Sequence, residues 1–224
     1  MDNRQIKQAG FTLVELLMAM VVAGVVVAGT TLVFRTMVRQ HNTEARNVTM
    51  QQNLRATMGY IERYIRMAGY DPTGSAGAGF TTILSNDIAF TMDKGALVGG
   101  AVNNKPNGKI DNHWDEKVEF KSDANNRLVR VDSSGTSQLL AEDIEVVNFV
   151  YLDRAGMPTT NASDVRTVQV SIVARSGDAA GFTTAQRDNT TYRNMQGAVI
   201  LPAPNDNIRR IQLAANISCR NTRW

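Results

Sequence analysis

Cysteine and histidine, the usual builders of metal and nucleophile sites, are almost missing from this chain of 224 residues, which has one Cys and two His. Cys219 alone closes no intrachain disulfide and no thiolate metal site. A lone thiol in an oxidising compartment is ordinarily buried and inert. His41 and His113 stand in no ligand or nucleophile pattern, and H-E-x-x-H, G-x-S-x-G and a Gly-Lys-Ser/Thr phosphate loop are absent. Neither an enzyme nor a bound cofactor or metal is therefore expected. Proline is missing before Pro72, so nothing in that stretch forces a helix to break. Charge of one sign never accumulates: 24 Lys and Arg against 21 Asp and Glu give +3, mixed along the chain. That pattern reads as a solvated surface rather than a polyanion-binding tail.

What the chain does have is a long apolar run near its N-terminus. Met1–Gly10 is polar and carries Arg4 and Lys7; Phe11 then opens a run that lasts through Phe34. No charge falls between Leu16 and Phe34. As a helix the run would span roughly 35 Å, enough for a bilayer core of about 30 Å. Arg35 and Arg39 follow as interfacial anchors, and Arg4 and Lys7 favour a cytoplasmic N-terminus. An ordinary secretory signal has a shorter apolar region followed by a small-residue cleavage site, which does not fit here. A plain signal anchor fits the hydropathy but leaves two residues unexplained. Gly10 sits at the polar–apolar junction, and Glu15 places a carboxylate near the start of a lipid-facing helix, at a cost on the order of 2–3 kcal/mol.

Gly10-Phe11-Thr12-Leu13-Val14-Glu15-Leu16-Leu17 resembles the class III signal of type IV pilins and of type II secretion pseudopilins. The resemblance implies cleavage between Gly10 and Phe11 by prepilin peptidase on the cytoplasmic side, and N-methylation of the new Phe11 amine. Gly10 suits that role because it lets a protease approach the backbone closely. Glu15 lies one helical turn after Phe11, and in a filament its carboxylate is expected to pair with the terminal amine of a neighbouring subunit, offsetting the burial of both charges. The competing reading of Glu15 is an interfacial side chain that snorkels to headgroups. Many major pilins carry a helix-kinking proline in the apolar segment, and this chain does not. Gly24 and Gly29 are its helix-weakening residues there.

Helical character continues beyond the run. Leu54, Met58, Ile61, Ile65 and Ala68 form one apolar stripe, with Arg55, Glu62, Arg63 and Arg66 mostly off it. Gly69 suits a C-cap, and Pro72 follows shortly after. The expected helix runs from about Thr12 to Ala68, apolar all round in its first half and amphipathic in its second. Strand patterns dominate afterwards, at Asp87–Thr91, Lys117–Lys121, Arg127–Asp132, Glu145–Asp153, Arg166–Ala174 and Ile208–Ile217. Gly99–Gly108 and Gly177–Gly197 read as long surface loops. The fold class is thus α+β: a long N-terminal helix packed on a C-terminal antiparallel sheet domain, the pilin architecture. The expected division is a cleaved leader at 1–10, a transmembrane segment at 11–34, an amphipathic helix at 35–69 and a β-rich globular domain at 70–224.

Finer details are similar to minor pilins of the PilW type: Met67-Ala68-Gly69-Tyr70 at the helix end, Ile144–Asp153 followed by Gly156, the strand Val165–Arg175, and the terminal segment ending in Arg220-Asn221. Pseudopilin J of type II secretion has a similar plan and is the alternative. The resemblance implies a subunit that helps initiate or cap a pilus, with other minor pilins, the major pilin and prepilin peptidase as partners. It also implies an inner-membrane, single-pass placement with a periplasmic domain, before transfer to the pilus of a Gram-negative cell. The loop Asn103–Glu116 offers hard oxygen ligands, but aligned as an EF-hand it puts Lys105 at a ligand position and Trp114 where the bidentate Glu should stand. Arg209, Arg210, Arg220 and Arg223 with Trp224 make a basic, aromatic end that could meet nucleic-acid phosphates and bases, as in a DNA-uptake receptor. The more ordinary reading is protective charge on an edge strand.

Overall fold

The structure is a computed structural model that describes residues 12–98, 101–103, 105–111, 116–176 and 187–222. The chain divides into two units, Met1–Arg46 and Asn47–Trp224, and one helix, α1 (Leu13–Met67), contributes to both. Free of proline, α1 runs unbroken over its whole length. It ends at Gly69, whose φ of +77° is left-handed backbone that only glycine adopts at little cost. The Gly69 N–H donates to the Thr91 carbonyl (3.0 Å), and Asn221 Nδ2 donates to the Arg66 carbonyl (3.1 Å). The helix C-terminus is therefore capped by the sheet and by the end of the chain.

In the second unit the apolar stripe of α1 is buried as its spacing predicts: Leu54, Met58, Ile61, Ile65 and Ala68 all lie in the core. Thr57 and Tyr64 widen it. Five antiparallel strands form the larger sheet, in the order β1 (Phe80–Ile83), β2 (Asp87–Thr91), β5 (Lys117–Ser122), β6 (Leu128–Asp132), β7 (Ser137–Ala141). A hairpin of β3 (Ala96–Val98) and β4 (Ala101–Asn103) is inserted between β2 and β5. A second antiparallel sheet has the order β12 (Arg210–Ser218), β9 (Thr167–Arg175), β8 (Ile144–Leu152). A short pair, β10 (Tyr192–Arg193) and β11 (Val199–Leu201), completes the unit.

One apolar cluster joins these layers. Ile61 and Ile65 of the helix share it with Ile88, Phe90 and Phe120 of the larger sheet and with Phe149, Val170, Ile172 and Ile217 of the smaller one. Tyr64 meets Phe120 edge-on at 6.1 Å, and the Arg130 guanidinium lies over the Tyr64 ring at 4.9 Å. The two sheets are also tied by polar bonds: Tyr151 Oη donates to the Leu84 carbonyl (2.8 Å), and Phe149 N–H to the Ser85 carbonyl (2.7 Å).

Two loop expectations are corrected. Gly177–Gly197 is not all loop: residues 177–186 lie outside the described set, but Tyr192–Arg193 forms β10. Gln196 Nε2 of that hairpin donates to Gln169 Oε1 (2.9 Å), and Asn194 Nδ2 to Asn148 Oδ1 (3.0 Å). The hairpin thus covers the second face of the smaller sheet. For this reason β9 is buried on both faces, Gln169, Ser171 and Val173 included, instead of alternating. Within Gly99–Gly108, residues 101–103 form β4, while Asn107 and Gly108 donate their N–H groups to the buried Asp93 carboxylate (3.1 and 2.8 Å). Residues 99, 100 and 104 lie outside the described set.

Candidate functional site

The chemistry-bearing motif is at the start of α1. Gly10 and Phe11 lie outside the described residues. Thr12, the first described residue, caps the helix: its Oγ1 accepts from the Glu15 N–H (3.3 Å), and its carbonyl from the Leu16 N–H (3.1 Å). Thr12-Leu13-Val14-Glu15 is the S/T-x-x-E spacing of a capping box, of which the structure shows the Thr12 half, a local role for Thr12 that the sequence reading did not draw out. Glu15 is exposed in this first turn, where the helix dipole favours a negative group.

From there the helix surface is apolar on every side. Leu13, Val14, Leu17, Val21, Val25, Val33 and Phe34 are all exposed, and none of the most apolar eighteen-residue stretch is buried in the chain. The few polar groups are satisfied internally: Thr30 Oγ1 donates to the Val26 and Val27 carbonyls, Thr31 Oγ1 to Val27 (2.7 Å), and Thr36 Oγ1 to Leu32 (3.0 Å). A segment in which each hydroxyl is bonded back to its own helix meets the requirement that lipid imposes. A Cβ built at Gly24 or Gly29 meets nothing within 4 Å, so no contact within the chain requires glycine there.

The remaining candidates do not converge on a site. His41 is exposed on α1, and His113 with Trp114 and Asp115 lies outside the described residues. Glu116, read from sequence as an oxygen ligand of the Asn103–Glu116 loop, is fully buried. Its Oε1 accepts from the Lys94 and Gly95 N–H groups (3.1 and 2.9 Å) and its Oε2 from the Asp111 N–H (2.5 Å). Asn107 Nδ2 donates to Asp111 Oδ2 (2.7 Å). Glu116 thus ties the backbone at Lys94, Gly95 and Asp111 together, and Asp111 holds the Asn107 side chain. Among the described residues, no group of three or more His, Cys, Asp or Glu is arranged to hold a metal ion. Cys219 is buried, and burial pushes its thiol up to about 12, so it is no ready nucleophile.

Arg210 does not belong to the basic surface that the sequence suggested. Its side chain is 2% exposed and lies among three carboxylates: Glu145 (Nε to Oε2, 2.5 Å), Asp206 (Nη1 to Oδ1, 2.6 Å) and Asp188 (Nη1 to Oδ2, 3.4 Å). A cation neutralised in this way has no charge left for a phosphate. Arg209 and Arg220 are exposed, while Arg223 and Trp224 lie outside the described residues.

Residues 6–31 match the model of the prokaryotic N-terminal methylation motif. No curated protein matches the chain. Among solved structures, a type IV-like pilin from Thermus thermophilus is similar, with a TM-score of 0.51 and 12% identity, covering 78% of this chain and 97% of that one. At that identity the likeness is one of fold. The chain thus carries a prepilin-type methylation motif at the head of an uncovered apolar helix, and it shares the fold of that type IV-like pilin.

Proposed function

We propose that the chain is a minor subunit of a type IV pilus, of the PilW type, that helps to initiate or cap the filament. In this reading 1–10 is a leader removed between Gly10 and Phe11 by prepilin peptidase, and the Phe11 amine is then methylated. Residues 11–34 hold the subunit in the inner membrane. Residues 35–69 carry the helix into the periplasm, where 70–224 folds as the β-rich domain. The filament core then takes the helix among those of other minor pilins and the major pilin. The observation that carries the reading is the placing of an exposed carboxylate, Glu15, in the first turn of a helix whose apolar surface nothing in the chain covers. Membrane insertion needs no carboxylate and is easier without one. A filament core does need one, because a buried terminal ammonium without a partner costs several kcal/mol.

The test is processing and assembly in the host. Mass spectrometry of the membrane form should find N-methyl-Phe11 as the mature terminus. Glu15→Gln should be cleaved and inserted yet fail to enter filaments or to co-purify with pilus subunits. Normal piliation by Glu15→Gln would reduce Glu15 to an interfacial side chain with no part in assembly. A terminus downstream of Thr30 would make the segment a secretory signal and remove the proposal. Co-purification with secretion pseudopilins in place of pilus subunits would move the chain to a type II secretion system.

A further inference from the structure

The smaller sheet ends in an open edge. β12 pairs with β9 over all nine positions, Arg210 to Ser218, without a register shift. Just beyond those limits Cys219 N–H donates to the Arg166 carbonyl and Ser176 N–H to the Arg209 carbonyl, both at 2.8 Å. In an antiparallel ladder the bonded pairs alternate. Odd-numbered residues of β12 therefore bond inward to β9, and the N–H and C=O groups of Gln212, Ala214, Asn216 and Ser218 point outward. None of these outward backbone groups has a hydrogen-bond partner among the described residues. Ala214, Asn216 and Ser218 are exposed.

The other outer strands are protected. β1 has four residues and a register shift between Phe80 and Thr82. The pairing of β7 is shifted at Leu128/Val129. The far side of β8 is bonded by its own N–H groups, Phe149 to the Ser85 carbonyl and Ile144 to the Asn126 carbonyl. Bulges, shortness and cover are the usual ways of stopping a sheet edge from pairing. Among the described residues β12 has none of them, and Ile211–Cys219 contains neither a charge nor a proline.

We propose that the outer edge of β12 is an interaction surface that receives one extended strand from a different polypeptide, by main-chain pairing along Gln212–Ser218. The charges at its ends select the partner. Arg209 and Arg220 are exposed on either side of the uncharged stretch. Antiparallel pairing with a second copy centred on Ala214 would bring Arg209 of one chain beside Arg220 of the other, like charge against like charge. The fitting partner is an extended segment uncharged over about nine residues, the length of Ile211–Cys219, with carboxylates at its ends. That this segment belongs to another filament subunit rests on the proposed function. The open edge itself does not.

The test uses the full-length chain in detergent, alone and co-expressed with the other pilin-like subunits of its host, and reads amide hydrogen exchange. In the free chain the amides of Gln212, Ala214, Asn216 and Ser218 should exchange fast and those of Leu213 and Ala215 slowly. In the complex the outward amides should slow by about tenfold or more. Ala214→Pro removes only an outward donor and keeps the bonds to β9. It should abolish the complex while Leu213 and Ala215 stay protected, and Ala214→Lys should do the same by charge. The proposal is overturned if the outward amides are already slow in the free chain, if no complex forms, or if a complex forms without slowing them or survives Ala214→Pro. Slowing that instead tracks self-association would overturn the choice of partner. Leader processing and the Glu15→Gln phenotype are read separately, so failure of the filament reading is told apart from failure of the edge.

Discussion

Arg210 illustrates what single residues conceal. In sequence it is one of two adjacent arginines near the C-terminus; in the fold it is the centre of an ion cluster whose members Glu145 and Asp188 come from distant parts of the chain. No local pattern encodes that, because the desolvation of a charge depends on which strands meet. Glu116 was missed for the same reason, its carboxylate being spent on backbone N–H groups at Lys94, Gly95 and Asp111. Gly69 was legible, since a glycine between a helical stripe and a proline is a local signal. Arg210→Gln should cost about 3–5 kcal/mol in equilibrium unfolding at pH 7, because it leaves three carboxylates facing one another. The pH dependence has a definite sign. The Arg210 guanidinium, hydrogen-bonded to Asp206, holds that carboxyl down at about 2 against an ordinary 3.8. A depressed carboxylate stabilises the fold above its ordinary value, and the contribution is lost as pH falls through about 2. Asp206 is 36% exposed, so solvent screening makes its own share modest. Wild type should therefore lose stability between about pH 4 and pH 2 more steeply than Arg210→Gln. Parallel acid limbs in the two proteins would show that the cluster carries none of it.

The elements were legible in proportion to their length and regularity. The stripe from Leu54 to Ala68 is a helix signal that the core confirms position by position. The longer strands also fell close to their expected limits: Asp87–Thr91 is β2 as read, and Glu145–Asp153, Arg166–Ala174 and Ile208–Ile217 shift by one or two residues to β8, β9 and β12. What was missed is short. β1, β3, β4, β7, β10 and β11 have two to five residues each, too few for alternation to stand out, and their existence depends on a neighbouring strand. The burial of β9 on both faces was hidden because its cover, the hairpin carrying Gln196, comes from a segment of polar composition. The helix stripe gives the sharpest test at this scale. Ile65 is fully buried in the shared cluster, whereas Arg63, two positions away, is exposed. Ile65→Ala should lower stability by about 2–5 kcal/mol, transfer and cavity terms together. Arg63→Ala should stay within about 0.5 kcal/mol of wild type. Equal effects from both, by denaturant unfolding, would mean that the stripe does not face the core.

At the scale of the whole molecule, one helix carries two kinds of surface. Up to Arg46 its described side chains are exposed, and from Asn47 the chain has a core of its own in which the helix and both sheets take part. The apolar surface of the first unit makes no demand on the second, because the residues that complete the core begin at Met50 and Leu54. Removing residues 1–39 should therefore take away the need for detergent and leave the core intact. The shortened protein should be monomeric in water, and it should unfold in a single cooperative transition, since the cluster that joins the helix to both sheets is continuous and neither sheet has a separate core. Ile65→Ala should lower the midpoint of that one transition as seen by every probe, near-ultraviolet and far-ultraviolet circular dichroism alike. Two transitions, with the three-stranded sheet melting apart from the five-stranded one, would mean that Tyr151, Phe149 and the shared cluster do not couple the layers. A shortened protein that remains soluble only in detergent would mean that a second apolar surface, beyond the first unit of the helix, is left uncovered.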